Sequence, residues 1–318
     1  MSPVEHLQEL HGLPAFDFPA PGARQELPKA DAVAWRLAVD PYDDSSDEEF
    51  GALWDRFLDS VDPAGVRAIV VGQWDEPCDN DVSGIVQLLV DARDRLTALR
   101  AVFLGDLEME EAEISWIEQS DVTPVLEAYP LLKEFGVRGG TGLLFPPVRH
   151  EHLRTLCIEA GGLPGDVVRG IAASELPALE YLDLWLGVAE YGGDAAVADL
   201  APILAGGRFP ALHHLGLRNS EIQDEVAAAV AAAPVVAQLK SLDLSLGVLT
   251  DEGAAALLAG QPLTHLTWLD LHHNFVTEPV AARLRAALEP SGVEVDVSEP
   301  GDTWEHDGVV HRFTAVAE

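Results

Sequence analysis

Apolar residues in this chain fall into a pattern, Leu-x-x-Leu-x-Leu, that returns along most of its length. The copies read LRAVFL at Leu99–Leu104, LKEFGV at Leu132–Val137, LRTLCI at Leu153–Ile158, LEYLDL at Leu179–Leu184, LHHLGL at Leu212–Leu217, LKSLDL at Leu239–Leu244 and LTWLDL at Leu266–Leu271. Within each copy apolar positions alternate with others, the period of a strand that buries one face. The second apolar position marks the register: Val102, Phe135, Leu156, Leu182, Leu215, Leu242 and Leu269, at spacings of 33, 21, 26, 33, 27 and 27. Weaker copies extend the series. VRAIVVG puts Ile69 33 residues before Val102, AVAWRLAVD puts Trp35 34 before that, and VEVDV puts Val295 26 after Leu269. The pattern predicts ten parallel strands, the first and last atypical, because terminal repeats must shield an otherwise open core.

Segments between the strands carry helical spacing. Val82, Ile85, Val86, Leu89 and Leu96 share one helical face, as do Ile222, Val226, Val230 and Ala233. Phe50, Leu53, Trp54 and Phe57 repeat the pattern near the start. Thr277-Glu278-Pro279 reads as an N-cap with proline in the first turn, leading into Val280, Leu284 and Leu288. The interval after Phe135, GVRGGTGLLFPPVRHEH, is too short and too rich in Gly and Pro for a full helix, and predicts a loop crossing. Strand, helix and parallel strand repeated in this way predict an α/β solenoid, which presents a surface rather than a buried catalytic pocket.

These residues resemble the leucine-rich repeat family over roughly positions 64–298. The unit length and Ala-rich helices look most like its ribonuclease-inhibitor type, and the flavour of the chain is similar to leucine-rich repeat proteins of actinobacteria. In the best copy, LTWLDLHHNFVTEPVAARLRAAL, Asn274 falls at the family's asparagine-ladder position, whereas the two preceding copies carry Ser220 and Gly247 there. The resemblance implies a horseshoe with about ten parallel strands on its concave face and mostly helices on its convex face. Around it, residues 1–63 read as an N-terminal cap with an atypical first strand–helix unit, and 299–318 as a C-terminal hairpin around Asp307-Gly308. That hairpin would cover the open edge of the last strand.

Composition narrows the partner. Asp and Glu number 54 against 19 Lys and Arg, a formal charge of −35. Nucleic acid and anionic lipid both need a cationic face, so the balance argues against both and favours a basic protein or peptide. Two cysteines, Cys78 and Cys157, make no disulfide framework. The opening MSPVEHLQEL has no basic, apolar leader, and no run of apolar residues is long enough to span a membrane, so a cytoplasmic location is expected.

Alternation places candidate contact residues on the concave face: Phe103, Tyr181, Asp183, Trp185, His214, Asp243, Trp268, Asp270, His272 and Asp296. Asp183, Asp243, Asp270 and Asp296 fall in one row, interrupted by Gly216, and carboxylates so stacked repel unless something cationic sits on them. An acidic rim is expected from loops leaving the early strands, with Asp43, Asp44, Asp75, Glu76, Asp79, Asp106, Glu108, Glu110 and Glu111. No Lys or Arg occurs from Ala101 to Leu132.

Asp79-Asn80-Asp81 lacks the glycine and terminal glutamate of an EF-hand loop, and Asp81 reads equally as a helix cap. His214, Asp243 and His272 could form a weak metal site on neighbouring strands, but no cofactor is expected. Neither G-x-S-x-G, a phosphate loop, H-E-x-x-H nor C-x-x-C occurs, and Glu159 beside Cys157 disfavours a thiolate. The sequence therefore predicts a non-enzymatic scaffold for a basic protein or peptide. The alternatives are a metal-binding or accessory component of an enzyme system, and an inhibitor or immunity-type protein against a basic toxin or nuclease.

Overall fold

The computed structural model describes residues 4–39, 48–74, 77–306 and 308–317. Twelve strands form one sheet in chain order: β1 (Glu9–Leu10), β2 (Leu13–Asp17), β3 (Ala34–Leu37), β4 (Ala68–Val71), β5 (Ala101–Leu104), β6 (Glu134–Arg138), β7 (Thr155–Glu159), β8 (Tyr181–Gly187), β9 (His214–Ser220), β10 (Ser241–Asp243), β11 (Trp268–Asp270) and β12 (Glu294–Asp296). All pairings are parallel except β1 with β2. The register marks pair directly across the sheet, Trp35 with Ile69, Ile69 with Val102, and so on to Leu269 with Val295. All ten expected strands are present. The sheet also crosses the expected boundary at residue 63 without a break, because β2 and β3 pair with one another and β3 with β4.

Eight helices lie on one side of this sheet: α1 (Phe50–Ser60), α2 (Ser83–Asp91), α3 (Thr123–Ala128), α4 (Gly165–Ala173), α5 (Val197–Leu204), α6 (Gln223–Ala231), α7 (Asp251–Ala259) and α8 (Glu278–Leu288). Between β6 and β7 the chain crosses without a helix, as its Gly and Pro content predicts. The core lies between the layers. Trp35, Ile69, Val102, Phe135, Leu156, Leu182, Leu215, Leu242 and Leu269 are almost wholly excluded from solvent against Phe57, Leu89, Val168, Ile203, Val230, Leu257 and Leu284. Each repeat thus buries its apolar face on its neighbours, so the core grows with the array.

Polar groups stitch the repeats. Asn274 is buried; its amide donates to the Leu244 and Leu271 carbonyls, and its oxygen accepts from the Leu249 N–H. In the two preceding repeats, where Ser220 and Gly247 break the pattern, Gln223 supplies the amide instead. Its Nε2 donates to the Leu217 carbonyl, its Oε1 accepts from the Ser220 N–H, and its side chain fills the space a Cβ on Gly247 would need. Thr277 occupies the expected N-cap position of α8, yet its hydroxyl donates to Asp251 on the preceding helix, as Thr250 donates to Asp224.

Two expectations about the ends change. Beyond the ten expected strands, LPAFD forms an eleventh parallel strand, β2, which aligns Phe16 with Trp35. At the other end β13 (Trp304–His306) and β14 (Val309–His311) make the expected antiparallel hairpin, but as a sheet of their own, not paired to β12. Among the described residues no helix is long and apolar enough to cross a membrane.

Candidate functional site

The helix-free face of the sheet divides into a plugged half and an open half. Over β3–β6 the N-terminal segment lies across it. Leu7, Leu10 and Leu13 pack on Ala34, Ala68, Val70 and Ala101, small enough to admit a second layer. Arg36 and Arg138 hold the segment by donating to the Leu7 and Glu5 carbonyls, while His11 Nδ1 lies 2.6 Å from Glu134. Asp106 sits at the centre of this seam. It is wholly buried, 2.7 Å from Arg36 and 3.6 Å from Arg138, and accepts the Leu7 N–H. Burial works against its charge, but His6 and the two guanidiniums outweigh it and hold its pKa below the ordinary value. Asp106 is therefore not a rim residue but the anchor of the plug. Phe103 is also covered. Its ring lies over Gly136, where a Cβ would collide with it, and under the Arg138 guanidinium.

Over β7–β12 the face is open, and most of its buried charges pair with one another. The row of aspartates forms as expected, with Asp183 opposite Gly216, Gly216 opposite Asp243, then Asp270 and Asp296. The missing side chain at Gly216 leaves room that the Asp183 carboxyl takes, and Arg218, two residues on, bridges it to Asp243. Its guanidinium is 3.2 Å from Asp183 and 3.2 Å from Asp243, and lies over the Trp185 ring at 5.2 Å. Burial opposes the Arg218 charge, but the two carboxylates outweigh it and raise its pKa. Asp183, Asp243 and Asp270 are each under 5% exposed, so the row is not the free acidic groove that the alternation suggests.

The carboxylates also shape the strands. Asp243, Asp270 and Asp296 each accept the backbone N–H two residues on, at 2.8–2.9 Å, and β10, β11 and β12 all end at that aspartate. Such local turns compete with the ladder. Asp183 makes no such bond; its Oδ1 has no hydrogen-bond partner among the described residues, and β8 runs on to Gly187. Burial without that donor pushes the Asp183 carboxyl up to about 7, against the pull of Arg218.

Beside the carboxylates runs an aromatic row. His214 stacks on Tyr181 at 3.8 Å and faces Trp268 at 6.3 Å. His214 is buried and its pKa falls to about 4, from burial and then the Arg218 charge; Nδ1 bonds the Ser241 hydroxyl. Tyr181 and Trp268 remain partly exposed, whereas Trp185 is buried. The expected His214–Asp243–His272 group does not converge: Asp243 is held by Arg218, His214 Nδ1 bonds Ser241, and His214 Nε2 is buried with no hydrogen-bond partner among the described residues. Among the described residues the group that converges is Asp270, His272 and Asp296, with ligand atoms all within 4.8 Å of one another.

The rim is built mainly from the loop 105–119 after β5. Glu110 is exposed, and Glu108 and Glu111 are half-buried beside His6. Asp79 is exposed on a neighbouring loop, where Asp81, one residue before the N-cap of α2, accepts the Ser83 N–H. Asp43, Asp44, Asp75 and Glu76 lie outside the described residues. The same loop exposes two large apolar side chains, Met109 at 53% and Trp116 at 55%. Sequence reasoning missed both. Their signal is present in LEMEEAEISW, where isolated apolar residues interrupt an acidic run in a loop, with no helical or strand period to bury them. Burial and Glu159 push the Cys157 thiol well up, which removes it as a nucleophile at neutral pH.

Neither a protein-family model nor a curated protein matches the chain. A Bacteroides fragilis protein solved by a structural genomics consortium does match: it is 32% identical, superposes with a TM-score of 0.78, and the match covers 88% of this chain and 76% of that one. The chain belongs to the same family as this Bacteroides fragilis protein.

Proposed function

We propose that the chain is a scaffold of the leucine-rich repeat type that binds a basic protein or peptide, without catalysis of its own. The contact would centre on the acidic rim and continue onto the open half of the concave face. The observation that carries this reading is that Met109, between Glu108 and Glu110, and Trp116, in the same acidic loop, are both more than half exposed. Large apolar anchors ringed by one sign of charge suit a partner of opposite charge: the apolar pair gives affinity and the carboxylates give steering and register. The plugged half of the face favours the same placement, since only β7–β12 offer Tyr181 and Trp268 to a partner. A basic toxin or nuclease would be one such partner.

The test is a titration with a fluorescently labelled oligoarginine peptide at two ionic strengths. The wild type should bind more weakly at the higher salt. The variant W116A/E110Q should lose at least about tenfold in affinity, roughly 1.4 kcal/mol, and part of the salt dependence. Equal affinity in wild type and variant would remove the rim from the account.

A second reading rests on the Asp270–His272–Asp296 group, whose oxygen and nitrogen donors suit a divalent transition metal. The Asp270 hydrogen bond raises the His272 pKa, so protons compete for the ring. Metal analysis of purified protein and the melting shift on adding Zn²⁺, in wild type and D296N, decide it. A shift present in both forms contradicts the site.

A further inference from the structure

The chain is strongly acidic, yet a group of its cations gathers on one edge. The residue that precedes each strand is Arg67 before β4, Arg100 before β5, Lys133 before β6 and Arg154 before β7. The backbone ladder already runs through these positions. The Arg100 N–H donates to the Arg67 carbonyl, Lys133 to Arg100, and Arg154 to Lys133. Neighbouring strands sit about 4.8 Å apart, so Arg67, Arg100 and Lys133 stand side by side within about 10 Å. Lys29 joins them from the loop between β2 and β3, fixed by the Trp35 indole, which donates to the carbonyl of the adjacent Ala30. Together the four line a hollow of about 640 Å³.

Several other cations of this protein are held by carboxylates, among them Arg36, Arg138, Arg169 and Arg218. Among the described residues the four in the hollow make no ion pair, although Asp31 and Asp62 share its lining. Arg154, the next in the row, lies outside the hollow and is paired to Glu180 at 3.2 Å. Arg100 is held against the Thr97 and Leu99 carbonyls, which orders part of the site in advance. Unpaired like charges within one hollow repel, a cost an anion would relieve.

We propose that this hollow binds a small polyanion of the oligophosphate class. Its volume falls in the range of small-ligand sites, about 300–1,000 Å³. Apart from the charged residues its lining is alanine and glycine, with no aromatic side chain to stack a nucleobase, so recognition rests on the anion itself. Arginine and lysine together suit phosphate oxygens through forked and point-charge contacts. The charge of −35 repels an extended polyanion such as nucleic acid, which would overlie the acidic surface too. A compact anion meets only the local field. The site is on the edge where strands begin, away from the rim loop that follows β5, so it is independent of the peptide-binding reading.

Isothermal titration calorimetry with sodium tripolyphosphate in low-salt buffer tests this. The wild type should bind one equivalent. R100Q/K133Q should bind at least about tenfold more weakly, with a melting curve close to that of the wild type since neither side chain makes an ion pair among the described residues. K240Q, in the same row but outside the hollow, should bind like the wild type. No binding by the wild type, or equal loss in K240Q, would overturn the proposal. So would a wild-type self-association that R100Q/K133Q abolishes without any heat from tripolyphosphate; the hollow would then receive the acidic rim of a second copy.

Discussion

Arg218 places one guanidinium between two buried carboxylates, and much of the chemistry of the open face depends on it. Replacing it with Met would leave Asp183 and Asp243 buried without a cation, at a cost of about 3–5 kcal/mol, read as a lower urea midpoint. The pH dependence follows from two opposed groups. The Asp183 pKa is raised to about 7 in the folded protein, so its contribution to stability is full below the unfolded value near 4 and declines as pH rises towards 7. The His214 pKa is lowered to about 4, so its contribution is full above pH 6.5 and is lost as pH falls towards 4. Between those limits the slopes oppose. D183N removes one of them, and its stability should rise more steeply from pH 4 to 6.5 than that of the wild type; parallel curves in urea titrations would contradict the assignment. The facing of Asp183, Asp243, Asp270 and Asp296 was legible in the sequence because alternation alone decides it. Their partners were not. Alternation says which face a carboxylate takes but not whether it turns back onto the N–H two residues on, and the diagonal reach of Arg218 between Asp183 and Asp243 depends on rotamers.

Both termini work as elements that close the array. The N-terminal segment plugs β3–β6 through Leu7, Leu10 and Leu13 and the Arg36–Asp106–Arg138 seam. The C-terminal residues run back across the far ends of the strands: Ala315 donates to the Leu246 carbonyl, Val316 bonds Asn219 in both directions, and Ser115 donates to the Ala317 carbonyl. Asn219, in a left-handed conformation at φ 52°, also donates to Ala160 and so ties the tail to β7 and β9 together. N219A would strand several buried backbone groups, costing at least about 2 kcal/mol, and should speed proteolysis of the tail; an unchanged cleavage rate would mean that the tail is held elsewhere. The ten strands were legible because the register marks repeat with a helix or loop between them. β2 was not, since Phe16 lies only 19 residues before Trp35, its segment carries Gly12 and Pro14, and no helical pattern intervenes. The hairpin was legible from its turn, but its position was not, because nothing local says which edge a hairpin will meet.

At the scale of the molecule, charge is sorted by edge. Arg67, Arg100, Lys133 and Arg154 line the side where β4–β7 begin, and carboxylates with Met109 and Trp116 occupy the loop 105–119 at the side where strands end. An acidic chain was legible from composition; its polarity needed the fold, although the basic residue after the first Leu of LRAVFL, LKEFGV and LRTLCI is its trace in sequence. This sorting predicts that a basic partner approaches from the strand-end side and leaves the opposite edge free. The most direct measurement is an affinity capture from host lysate read by mass spectrometry, comparing the wild type with a rim variant, M109S/W116A/E110Q, and an open-face variant, Y181A/W268A. The account predicts a basic protein retained by the wild type, lost on the rim variant and reduced on the open-face variant. Retention of the same protein on the rim variant at wild-type level, or capture of acidic proteins alone, would contradict it.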